Sequence, residues 1–162
     1  MPNNRQTPID ALKLVAAQLI VLHHFVTYGP LAESLSEAAP DLTDWFFEYA
    51  RMAVQVFLVL GGFLAARSLA PSGSFRQNAP WRVIAQRFQR LILPLLAALL
   101  LAVVSAAFAR HWLSDDFIPA APTLTQALAH AGLVQGVLGF DSLSAGVWYV
   151  SIDFQLFAVM SL

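Results

Sequence analysis

Few residues in this chain can do chemistry, and most of them sit in apolar surroundings: Lys13 and His24, the pair Arg87 and Arg90, and Asp153. On a helix, the eleven-residue spacing of Lys13 and His24 is three turns plus about 20°, or roughly 16 Å along the axis. The two therefore share a stripe. Asp10 lies about 40° off it, and His23 is turned about 100° away. A neutral histidine can take a proton from a hydroxyl and return it when a carboxylate fixes its tautomer. Asp153, with Gln155 close by, is the candidate carboxylate. The alternative for His24 is a bridge to a neighbouring helix, with Lys13 as an inner-leaflet anchor. Arg87 and Arg90, spaced i, i+3, share a helix face. Guanidinium forks suit phosphate groups, although arginines at an inner helix end also serve as plain topology markers. The chain has no cysteine, which removes thiol nucleophiles, thiolate metal sites and disulfides; no metal centre is expected.

The elements that must position these side chains are membrane helices. Of the 162 residues, 58% are hydrophobic and 12% charged, against roughly 45–50% and 25% in soluble domains. Mean hydropathy is +0.64. Segments 14–32 and 91–109 carry no charged residue over 19 positions each, close to the roughly 20 that cross a bilayer. Segment 52–66 reaches spanning length if it starts near Phe46 and carries Glu48 and Arg51 at its end, where charges snorkel. The expected spans are 11–29, 46–67, 91–109 and 147–162. Segment 123–140, with Gln126, His130, Gln135, Gly132, Gly136 and Gly139, either spans or re-enters. The first apolar run is longer than a signal-peptide core and is followed by more spans, so it reads as an uncleaved helix. No basic patch interleaved with aromatics exists, which argues against nucleic acid.

Charge asymmetry gives a topology. Segment 67–90 holds Arg67, Arg76, Arg82, Arg87 and Arg90 without an acid, whereas 31–48 holds Glu33, Glu37, Asp41, Asp44 and Glu48 without a base. The basic loop is expected in the cytoplasm, and with it the N-terminus, in a multi-pass protein of the cytoplasmic membrane. Pro71 and Gly73 predict a turn. Pro80 suits the first turn of a helix that lies on the inner surface and bends inward near Pro94. The fold class is all-α, a polytopic transmembrane helix bundle.

Four segments, in order and spacing, resemble the integral-membrane acyltransferase family 3, the bacterial O-acyltransferases of glycans. Ile9-Asp10-Ala11-Leu12-Lys13, running on to His23-His24, resembles the family's first helix, in which an arginine precedes a histidine by eleven residues; Lys13 and His24 fall on those positions. VQVFLVLGGFL over 54–64 is similar to the VxxFFVLSGFL helix. Arg87-Phe88-Gln89-Arg90 with Leu91 and Pro94 is similar to RxxRLxPP, and WYVSIDFQLF over 148–157 to WxLSxExxFY, which places Asp153 on the carboxylate position. Departures are Lys13 for arginine, Gly61 for serine, Asp153 for the longer glutamate, and Leu156-Phe157 for Phe-Tyr.

The resemblance implies transfer of an acyl group, most often acetyl, from a cytoplasmic acyl-CoA co-substrate to a hydroxyl of an extracytoplasmic glycan or similar acceptor, with no bound cofactor. It implies His24 and Asp153 as the catalytic pair and Lys13, Arg87 and Arg90 as donor-binding groups, with Asp10, His23, Trp148 and Gln155 in support. Four or five spans are fewer than family members carry, so the chain reads as the N-terminal portion of one such domain. The alternative is a non-catalytic membrane helix module, for transport or assembly, or an inactive fragment.

Overall fold

The computed structural model describes residues 7–71, 73–74, 79–114 and 118–162. Arg5 and Arg76 lie outside them. Among the described residues the chain is all helix, with no strand: α1 (Thr7–Thr27), α2 (Pro30–Ala38), α3 (Pro40–Glu48), a 3₁₀ turn at Ala50–Met52, α4 (Ala53–Leu69), α5 (Pro80–Trp112), α6 (Leu124–Ala131) and α7 (Val147–Ser161). Three stretches, Pro8–Thr27, Pro40–Leu69 and Pro80–Trp112, are long and apolar enough to cross a membrane, and Val147–Ser161 is a shorter apolar helix. This is a helical membrane protein. Two compact units divide it, Met1–Leu64 and Ala65–Leu162.

In the first unit, α1 packs against α2, α3 and the 3₁₀ turn. Gly29, at φ +78 and ψ −178, breaks the chain after α1 in a conformation only glycine adopts readily. Pro30 and Pro40 then open α2 and α3 at positions where the missing N–H costs nothing. The buried Thr43 hydroxyl reaches the carbonyls of both Leu35 and Ala39 at 3.0 Å, fastening α3 to the end of α2.

In the second unit, α5 and α7 pair antiparallel. Val83 packs in a cluster with Phe157, Phe88 meets Phe154 at 5.5 Å between ring centroids, and Leu95 and Leu99 cluster with Val147. The register thus falls along α7 as it rises along α5. Lipid tails are as apolar as leucine, so this packing gains mainly dispersion; polar clasps between membrane helices add about 0.6 kcal/mol each on average.

The helix that Pro80 opens and the span expected at 91–109 are one element: α5 continues through Pro94 over 33 residues, about 50 Å. Pro94 deprives the Arg90 carbonyl of its intrahelical donor, but a membrane helix tolerates this where neighbouring groups re-satisfy the backbone. The expected turn is present, with Gly73 at φ +78 and its N–H on the Ala70 carbonyl at 3.2 Å.

Segment 123–140 contains only one short helix. The Thr123 hydroxyl caps α6 by accepting from the Gln126 N–H at 3.2 Å. The helix closes with Val134 N–H on Ala129 O at 3.0 Å and Leu133 N–H on His130 O at 3.1 Å, the paired bonds of a left-handed C-terminal stop. Leu133, not Gly132, is the left-handed residue, at φ 56. One further turn ends the same way at Gly139, φ +73, with Phe140 N–H on Gln135 O at 2.9 Å. At eight residues, α6 is far short of the roughly 20 needed to cross a bilayer. Leu133 is fully buried and joins Leu95, Leu99 and Val147. The segment therefore folds back beside α5 before α7 begins at Gly146, φ +86.

Candidate active site

Each unit carries its own share of the candidate residues. On α1, Lys13, Ala16, Ala17, Ile20, His23, His24 and Thr27 are among the less exposed positions, with Ile9, Leu19 and Val26, whereas Asp10 is exposed. Lys13 and His24 thus share the sheltered side of the helix, as their spacing requires.

The two adjacent histidines are in different situations. His23 Nδ1 lies 3.2 Å from the Phe46 carbonyl; a carbonyl only accepts, so Nδ1 carries the proton and donates it. Its ring also lies 5.9 Å from that of Phe47. The Thr27 hydroxyl donates back to the His23 carbonyl at 2.6 Å. The histidine that bridges to a neighbouring helix is therefore His23. The His24 ring contacts those of His23 and Tyr28 at 5.8 and 5.7 Å, and its nitrogens have no hydrogen-bond partner among the described residues.

In the second unit the structure brings together Arg87 and Asp153. Arg87 Nη2 donates to Asp153 Oδ2 at 2.6 Å, with side chains 28% and 16% exposed. The same guanidinium lies 4.3 Å above the Phe157 ring, one turn along α7 from Asp153, an attraction that strengthens with desolvation. Arg87 Nε is enclosed without a partner. Arg87 is thus already neutralised by a carboxylate, while Arg90, on the same helix face, is exposed.

Gln155 and Trp148 are half a turn or more away from Asp153 on α7. Gln155 Nε2 donates to the Leu133 carbonyl at 2.8 Å, tying α7 to the left-handed turn. Trp148 is 43% exposed and lines a small cavity with Gln135, Ser151 and Gln155.

Two groups here gain roles that the sequence did not assign. His130 is wholly buried, with Nδ1 2.8 Å from the Gln126 carbonyl and Nε2 accepting from the Leu143 N–H at 3.1 Å. Both ring nitrogens are spoken for, which fixes the neutral Nδ1–H tautomer and makes this histidine a structural pin. Gln135 and Ser151, 1% and 2% exposed, are joined at 2.5 Å from Nε2 to Oγ. Their signal in the sequence was only that of uncharged polar residues in apolar segments. No cluster of potential metal ligands occurs among the described residues.

No curated protein and no solved structure matches this chain. The acyltransferase domain of acyltransferase family 3 matches residues 7–162, a range that takes in every candidate residue above. The chain belongs to acyltransferase family 3.

Proposed function

We propose that the protein moves an acyl group, most often acetyl, from acyl-CoA on the cytoplasmic side to a hydroxyl of a glycan or similar acceptor on the outer side. Family membership supports acyl transfer, and the division of labour between His23 and His24 carries the assignment of the base. One histidine is held by Phe46; its neighbour keeps both nitrogens for substrate.

His24 removes the acceptor proton as the hydroxyl oxygen attacks the thioester carbonyl. The new C–O bond forms, the C–S bond breaks, and the proton passes from the imidazolium to the departing thiolate. Arg90, exposed at the basic end of α5, and Lys13, on the His24 stripe, attract the donor's phosphates. Asp153 steadies Arg87, and Phe157 fixes the guanidinium plane. The catalytic role expected of Asp153 is retained in this reading: Arg87 takes Oδ2, and a carboxylate has further acceptor sites.

The topology follows the charge asymmetry, with the N-terminus and the 67–90 loop cytoplasmic and the acidic 31–48 segment outside. The antiparallel pairing of α5 and α7 and the shortness of α6 support a re-entrant 123–140 segment.

The test is transfer of labelled acetyl from acetyl-CoA by purified protein in liposomes. His24→Ala should reduce transfer at least a hundredfold, within the range for loss of a general base, with insertion and thermal unfolding unchanged. Undiminished transfer overturns the assignment.

A further inference from the structure

Between the turn at 134–139 and the first two turns of α7 lies a cavity of about 230 Å³, lined among others by Gln135, Gly136, Ser142, Trp148, Ser151 and Gln155. No charged side chain lines it. Gln135 is only half satisfied within this wall: Nε2 donates to Ser151 Oγ, but Oε1 is enclosed without a partner. An enclosed amide oxygen left in this state is costly unless a ligand or ordered water completes it. Ser151, equally buried, reaches the Val147 carbonyl only at 3.4 Å. Two buried polar side chains therefore spend little of their bonding capacity on the fold.

We propose that this cavity binds a neutral, hydroxyl-bearing ring, with Gln135 and Ser151 holding one hydroxyl and Trp148 forming the wall against the ring's C–H face. The ligand's role rests on the acyl-transfer reading, in which it is part of the acceptor. The chemistry selects the class. A cation would need a carboxylate in the wall, and a phosphate or carboxylate would need a cation; the cavity has neither. The last torsion of a glutamine is soft, and a serine hydroxyl can donate or accept. The pair can thus present an amide oxygen or an amide N–H, and a hydroxyl, which both donates and accepts, complements either. The volume is below the roughly 300 Å³ at which pockets for drug-sized ligands begin, enough for one ring and not for a chain of them.

The experiment uses the protein in lipid nanodiscs with Trp45, Trp81 and Trp112 replaced by Phe, so that Trp148 fluorescence reports on the cavity. Methyl α-glucoside and myo-inositol are the probes, and glucose 6-phosphate is the charged comparison. At least one neutral probe should give a saturable change, with the phosphate at least tenfold weaker. Gln135→Met should weaken binding about tenfold, as expected when a buried partner of a ligand hydroxyl is lost. Gly136 lines the cavity, and a Cβ added there meets no atom within 4 Å, so Gly136→Leu is expected to fold and to narrow the cavity; it should weaken binding at least tenfold, and it carries the test if Gln135→Met unfolds. Absence of saturation with both neutral probes, equal affinity for the phosphate, or undiminished affinity in the variants overturns the proposal. Saturable binding without acetyl transfer to any hydroxyl overturns the acyl-transfer reading and leaves the site standing. Transfer with undiminished affinity in both variants does the reverse.

Discussion

The Asp153 carboxylate accepts from Arg87 at 2.6 Å across a sequence separation of 66 residues. The contact joins the basic end of α5 to α7, and both side chains are largely withdrawn from water. Removing one partner of such a pair leaves the other charge uncompensated, which is worse than removing both.

Arg87→Gln and Asp153→Asn should each lower stability by about 1–3 kcal/mol, the partial exposure reducing the cost of a fully buried orphan charge. The double variant should lose less than the sum of the two. Thermal unfolding in detergent, arranged as a double-mutant cycle, measures the coupling; strict additivity would mean that the contact contributes nothing. Exchanging the two residues should recover stability without recovering transfer.

The histidine pair predicts opposite phenotypes. His23→Ala removes the bond to the Phe46 carbonyl and should cost about 1 kcal/mol of stability while leaving measurable transfer. His24→Ala should leave stability unchanged and remove transfer. Parallel unfolding and acetyl-transfer measurements distinguish them, and the reverse pattern would assign the base to His23.

For His130, nitrogen NMR of the imidazole should show a proton on Nδ1 and none on Nε2. His130→Ala should destabilise by about 2–4 kcal/mol, combining a lost buried side chain with an orphaned Leu143 N–H. Faster hydrogen exchange at Leu143 is the specific readout.

Two glycines in one turn should respond differently to the same substitution. At Gly139, φ +73 with open space around it, Gly→Ala should cost about 1 kcal/mol from backbone strain alone. At Gly136, also open but without a positive φ, Gly→Ala should be neutral or stabilise by up to about 1 kcal/mol. Equal effects would show that φ is not the controlling variable.

Much of this was legible from the amino acids, and where it was not, the reasons are physical. The long apolar helices follow from charge-free runs. The Lys13–His24 stripe follows from helical periodicity. Arg87 and Asp153 each stood out alone, but their pairing depends on the antiparallel register of α5 and α7, which no local pattern encodes. That His23 rather than His24 bridges depends on where α3 brings the Phe46 carbonyl. That the helix opened by Pro80 and the charge-free run at 91–109 form one element depends on the tolerance of a membrane span for an internal proline. Gln135 and Ser151 carry no charge, so nothing in their types announced a shared buried site.

Leu133 combines a left-handed backbone with a wholly buried side chain in the cluster with Leu95, Leu99 and Val147. These demands narrow the alphabet sharply. Glycine and asparagine accept the backbone but leave a hole or an unpaired amide. Valine and isoleucine fill space but are barred by branching at Cβ. What remains is an apolar side chain unbranched at Cβ and of similar volume, leucine or methionine. Position 133 should therefore be among the least mutable in the chain, although its side chain performs no chemistry.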